Sequence, residues 1–143
     1  MSLLESPSLI EVHLFYKFVQ KDNSRKLVII DDAKAEGMTE EERIEKEIET
    51  LSTKWAPLSW KEQNDVMTLA SKSVSQAGER EFNFLLYRDG IIKRCLKEWN
   101  IEVDNNAVPV SAQAIDQLPA AIIGKLYDKF EKVMDYTEDE LKN

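Results

Sequence analysis

Cysteine and histidine each occur once in these 143 residues, and that scarcity closes several routes at once. A disulfide framework needs a set of cysteines, and a zinc site built by one chain from Cys and His needs more ligands than these. The four glycines stand alone at 37, 78, 90 and 124. Neither a Walker loop nor a dinucleotide-binding fingerprint can be assembled from them, and no serine sits in a nucleophile elbow. No stretch approaches the roughly 20 apolar residues of a membrane helix. Glu5 and Pro7 occupy the place where a signal peptide carries its basic and apolar regions. The reading is a soluble, unprocessed cytoplasmic protein with no membrane partner. Basic residues are also in deficit, 19 against 27 acids, for a net charge of −8. Duplex binding rests on Lys and Arg neutralising phosphates, so nucleic acid is not expected as a primary partner.

What is present is ordinary globular material. Hydrophobic residues make up 43% and charged residues 32%, which argues against wholesale disorder. The length fits one domain, able to bury roughly 68–70% of the surface its unfolded chain exposes. Val12, Leu14, Tyr16 and Phe18 alternate within a run rich in β-branched and aromatic residues. A polar cluster, Lys21 to Ser24, and then Leu27 to Ile30 follow. Strand, turn, strand is the preferred reading, with a loop of about four residues. A helix over 9–20 competes with it, because Ile10, Leu14, Phe15 and Phe18 also share a helical face.

After Gly37 the signals turn helical. Thr39 and Glu42 have the capping-box spacing, and Ile44, Ile48, Leu51 and Trp55 follow as one stripe, stopped by Pro57. Ser59 and Glu62 repeat the box and open a second helix carrying Val66, Met67, Leu69, Ala70 and Val74, ended by Gly78. A longer helix is read from about Glu79 to Trp99, with Phe82, Leu85, Ile92, Leu96 and Trp99 inward and Gly90 as a candidate kink. Asn100 to Val110 is a loop. Ser111 caps a short helix, Pro119 opens a longer one faced by Ile122, Ile123, Leu126, Phe130 and Val133, and Thr137 to Glu140 suggests a last capped turn. The expected fold class is mainly α (α+β): one domain over 1–143, with a β-hairpin or arm over 1–37 and a compact bundle of about five helices over 38–143.

Chemistry is hard to find in this pattern. His13 falls in a strand-like run and Cys95 in a helix interior, so their pairing is weak, and Asp104-Asn105-Asn106 fails as a calcium loop because Pro109 and Ile115 take the places of its Gly and Glu. Residues 31–50 hold nine acids against three bases, a pattern typical of a solvated helix face. No catalytic residue, metal or cofactor is expected. Val12, Leu14, Tyr16 and Phe18 are candidate contacts for strand addition or self-association, since a lone hairpin must pack on something. Trp55 and Trp60 read either as core anchors or as exposed binding anchors. Trp99, Pro109, Leu118 and Pro119 read as structural anchors.

Several of these residues fall in an order that resembles the small tail assembly chaperones of bacteriophages. The segments are Trp55-Ala56-Pro57-Leu58-Ser59, Lys93 to Trp99, Asp104-Asn105-Asn106, Val108-Pro109-Val110-Ser111 and Ile115 to Pro119, with Leu126 beyond. The family pattern has a helix ending in Trp, an acidic turn, a Pro-x-Ser/Thr helix start and a Leu-Pro opening the last helix. This chain has Asn106 where Gly is frequent. The resemblance implies a non-catalytic, oligomeric protein of the host bacterial cytoplasm that binds tape-measure and tail tube proteins during tail assembly. The alternatives are a structural protein resident in the phage tail, baseplate or neck, and an unrelated helical protein-binding regulator.

Overall fold

The computed structural model describes residues 2–5, 8–74 and 78–134. The first element, β1 (Ile10–Lys21), turns through Asp22 and Asn23 into β2 (Ser24–Ile30). Both turn residues have positive φ, 53° and 64°, as a two-residue turn matched to strand twist requires, and Asn and Asp tolerate that region best after Gly. The hairpin is therefore present, with a loop of two residues, and the competing helix over 9–20 is not. Two short helices follow, α1 (Asp32–Glu36) and α2 (Glu40–Glu45), each capped by a side chain, Asp31 and Thr39.

The expected helical bundle is not what forms next, and the fold class is corrected to a mixed α/β architecture around a four-stranded sheet. β3 (Glu49–Trp55) pairs antiparallel with β1, so that Leu14 faces Leu51, Val12 faces Thr53 and Ile10 faces Trp55. A spacing of four is a helical turn but also two strand periods. Leu51 and Trp55 fit either. What decides is Glu47, which takes a left-handed conformation (φ 59°). The amide of Ile48 reaches the carbonyl of Arg43 at 2.8 Å and that of Glu47 reaches Ile44 at 3.0 Å. This is the double bond pattern that closes a helix, usually built on glycine. With Glu in that place the stop is invisible to a reading that looks for Gly or Pro.

The same correction applies further on. The capping box of Ser59 and Glu62 opens α3 (Trp60–Ala70) as expected, with both reciprocal bonds present. Beyond it lie β4 (Ser73–Val74) and β5 (Arg80–Glu81), then α4 (Phe84–Cys95). The long helix expected to reach Trp99 ends at Cys95, and Leu96–Trp99 is a strand, β6, paired with β3 through a bulge at Lys54/Trp55. A tight hairpin of β7 (Glu102–Val103) and β8 (Asn106–Ala107) turns on Asp104 and Asn105, both at positive φ. Ser111 caps α5 (Ala112–Asp116), and α6 (Ala120–Met134) begins where the amides of Ile122 and Ile123 donate to the Pro119 carbonyl. The capped turn expected at Thr137 to Glu140 lies outside the described residues.

The sheet order is β2-β1-β3-β6. One face carries Val12, Leu14, Leu51 and Trp55 against Val66 of α3, Ile91, Ile92 and Cys95 of α4, and Ile122, Leu126, Tyr127 and Phe130 of α6. A Cβ on Gly90 would meet a methyl of Val66 at 3.1 Å, so glycine permits the close approach of α3 and α4. The opposite face holds a smaller cluster of Phe15, Ile30, Ala35 and Ile48. Arg43 ties this end together, donating 2.8 Å bonds to the carbonyls of Ala35 and Met38 while its guanidinium lies over the Phe15 ring.

Trp55 is the largest wholly buried side chain. Its ring stacks on Phe130 with centroids 4.6 Å apart. Its indole N–H donates to the Thr53 hydroxyl at 2.7 Å, and that hydroxyl donates to the Val12 carbonyl at 2.5 Å. Replacing Trp55 by Ala should cost about 3–5 kcal/mol, measured by urea unfolding. Glu47→Gly should stabilise by about 0.5–1 kcal/mol, because glycine takes the left-handed cap without the Cβ penalty. The same titration measures it as an upward shift in midpoint.

Candidate functional site

The contact residues suggested by sequence separate sharply in space. Val12 and Leu14 are core, so they are corrected from partner contacts to internal packing, and of its two readings Trp55 is the core anchor; β1 pairs with β3 from Ile10 to Tyr16 and with β2 from Phe15 to Lys21. Tyr16 is half-buried, and Phe18 is partly exposed beneath Arg25, whose guanidinium carbon lies 3.9 Å from the ring centroid. Trp60, at 77% exposure, is the one tryptophan that faces water. Trp99 closes a strand instead of a helix, and its indole N–H donates to the Val108 carbonyl at 2.5 Å, which pins the chain ahead of Pro109. Leu118 is half-buried and Pro119 exposed, at the junction of α5 and α6.

An open groove of about 1150 Å³ lies between the β1/β2 end of the sheet, α1 and the C-terminal half of α6. Its charges answer one another. Lys129 bonds to the carboxylate of Asp32 and to the His13 carbonyl, and His13 Nε2 lies 3.3 Å from Glu36. Among the described residues, no three His, Cys, Asp or Glu side chains are grouped as a metal site. Cys95 lies in the main core, facing away from His13 across the sheet. Burial, above all, holds its thiol up at about 12, so the reactive thiolate is absent at neutral pH. No helix among the described residues is long and apolar enough to cross a membrane.

A run of exposed apolar side chains lies elsewhere. Phe82 (50% exposed), Phe84 (51%), Leu85 (65%) and Leu86 form a shelf at the start of α4. Tyr87 sits among them, with its ring 5.5 Å from Phe82 and 6.4 Å from Phe84. The backbone that carries them is firmly placed. The Asn83 side chain caps α4 by accepting from the Leu86 amide at 3.1 Å, and its own amide donates to Ala70 at the end of α3 at 2.8 Å. Exposed Met67 and Leu69 lie on the last turns of α3 beside this junction. Helix first turns favour acids, which complement the dipole; α4 has none there and presents large apolar side chains instead. Isolated exposed hydrophobics are ordinary, but a contiguous aromatic and aliphatic patch marks an interaction surface.

Sequence reading placed Phe82 and Leu85 on a buried helix face and passed over Phe84 and Leu86. One signal was available. Phe82-Asn83-Phe84-Leu85-Leu86-Tyr87 is an uncharged run with five large apolar or aromatic residues in six, more than one helical stripe can bury. No protein-family model matches the chain, and no curated protein and no solved structure matches it.

Three weak acids, Cys95 and Tyr127 buried and Tyr16 half-buried, give the fold a direction in alkali. Burial first, then a hydrogen bond to Glu49, pushes Tyr16 up to about 12 from 10.0; burial likewise raises Cys95 from 9.0 and Tyr127 from 10.0. The unfolded chain then releases these protons at lower pH than the folded chain, so it binds fewer of them between pH 9 and 12 and stability falls as pH rises through that window. Urea midpoints should hold steady up to pH 9 and decline beyond it. Cys95→Ala should remove the earliest part of the decline.

Proposed function

We propose that this protein acts by binding other proteins, without catalysis, as a tail assembly chaperone that keeps tape-measure and tail tube subunits soluble until they assemble. The observation that carries the reading is the apolar shelf of Phe82, Phe84, Leu85 and Leu86. A long, amphipathic, aggregation-prone partner needs apolar surface to rest on, and a rigid helix start provides it without an ordering cost at the shelf. The net charge of −8 keeps such a complex in solution by mutual repulsion. Three elements of the resemblance also stand at helix starts: Ser59 ahead of α3, Pro109-Val110-Ser111 ahead of α5, and Leu118-Pro119 ahead of α6. The family's helix-ending Trp does not carry over, because Trp99 closes β6.

The working surface is then the shelf, and the ionic groove has no part in it. Co-expression with the tape-measure protein should raise the soluble fraction of that protein. Phe84→Asp and Leu85→Asp, both at exposed positions, should weaken the complex by about tenfold to a hundredfold, in line with the loss of an interface anchor, while circular dichroism stays unchanged. Solubility that both variants leave intact would move the binding surface off the shelf. Mass spectrometry of purified particles separates the two phage roles: a chaperone is missing from the finished tail, a resident subunit is present in fixed proportion.

A further inference from the structure

The sheet has two outer strands, and they are built differently. β6 is four residues long and carries Lys97 and Glu98. The Asn100 side chain continues its pairing, bonding to the amide of Ser52 and the carbonyl of Thr50 at 3.0 Å each. That edge is short, charged and finished by a side chain, as protected edges are. β2 is seven residues long, pairs with β1 alone in the sheet, and contains the unbroken apolar run Leu27-Val28-Ile29-Ile30, with no proline and no register shift against β1. An edge of that kind is a template for another strand.

Its hydrogen-bonding phase follows from the turn. Lys21 and Ser24 close the two-residue loop, and in such hairpins the closing pair is hydrogen-bonded. Counting in twos, Lys26, Val28 and Ile30 turn their backbone groups toward β1, and Arg25, Leu27 and Ile29 turn theirs outward. An antiparallel partner must therefore meet Arg25, Leu27 and Ile29 as its hydrogen-bonded pairs.

We propose that the partner is a second copy of this chain, with β2 pairing antiparallel to β2 across a two-fold axis at Val28, so that the two four-stranded sheets become one. In that register Leu27 faces Ile29 of the other copy and exchanges both backbone bonds with it, and the symmetry mate repeats the contact. Arg25 faces Asp31 of the other copy, again twice. Both are exposed, Asp31 immediately follows β2, and Arg25 lies on the same face as Leu27 and Ile29, over Phe18. Shifting the axis to Leu27 sets Arg25 against Ile29 and loses the charge match. Shifting it to Ile29 sets Lys26 against Asp32, whose carboxylate is already held by Lys129. The Val28 register alone pairs an exposed cation with an exposed acid at both ends, Arg25 lying over Phe18 and Asp31 using one carboxylate oxygen to cap α1 and leaving the other to a partner. Two molecules of charge −8 repel overall, so a local match of this kind has to set the contact. Such a dimer forms whatever the apolar shelf binds.

The test uses the whole chain and light scattering coupled to size exclusion. Wild type should run as a dimer that weakens at high salt, because the end contacts are exposed. Arg25→Asp alone and Asp31→Arg alone should each raise the dimer dissociation constant about tenfold or more, since two attractive cross-strand pairs become repulsive. Mixing the two variants should restore dimers. In the mixed dimer the acid introduced at position 25 meets the base introduced at position 31, and the native Arg25 and Asp31 meet at the other end. Circular dichroism of each variant before mixing identifies any loss of folding. Val28→Arg, which sets two cations side by side on the axis, supplies an independent break. A wild type that is monomeric at every attainable concentration overturns the proposal. So does a dimer that these substitutions leave intact, which would put the contact on the shelf at Phe84 and Leu85, or two charge variants that fail to combine.

Discussion

Trp55 is where the separate parts of this protein become one body. It belongs to β3, so its backbone is set by pairing with β1 and β6, and its ring lies flat on Phe130, so the same residue fixes how α6 crosses the sheet. A tryptophan can fill that volume only if its N–H finds an acceptor in the dry interior. Thr53 supplies one and passes the bond on to the Val12 carbonyl. Two strands and the longest helix are thus joined by one stack and two hydrogen bonds, none of which touches water. The exposed start of α4 depends on this indirectly: with the sheet and α6 fixed, α3 and α4 pack on a rigid layer, and the start of α4 stands out from it at a defined place.

Much of the local structure was legible. The alternation of Val12 to Phe18 marked the first strand, the polar cluster after Lys21 marked its turn, and the caps at Thr39, Ser59 and Ser111 all stand where their residue types required. The architecture was not. Leu51 and Trp55 satisfy helical and strand periods alike, and the residue that separates the two readings, Glu47, carries no mark of its left-handed backbone. At Leu96 to Trp99 the helical spacing also continues past the true end of α4. There the pull comes from β3, an element far back in the chain, and pairing of that range overrides local propensity. A helical reading of β3 leaves β6 without a partner strand, so the two departures share one cause.

The candidate surface was legible only as an excess. Six residues from Phe82 to Tyr87 hold more apolar bulk than an amphipathic helix needs, but periodicity assigns the surplus to the core because it has no means of counting what the core can hold. The opposite error befell Val12 and Leu14. Their hydrophobicity suggested contacts with a partner, and the fold uses it for contacts within the chain, on the sheet face that α3, α4 and α6 cover.

The order of strands in the sheet differs from their order in the chain, and translation must respect that. The hairpin of β1 and β2 can close as soon as it leaves the ribosome, since its contacts are local and hairpins form in microseconds. β3 can dock on it soon after. The outer side of β3 then stays bare until Leu96 has been synthesised, and the Trp55 ring stays uncovered until Phe130 arrives. During that interval the nascent chain displays an aromatic, hydrogen-bond-hungry border to the crowded surroundings of neighbouring polysomes. Speed of elongation through the second half therefore matters to yield, and rare codons placed after Trp55 would prolong the most adhesive stage of this protein's life.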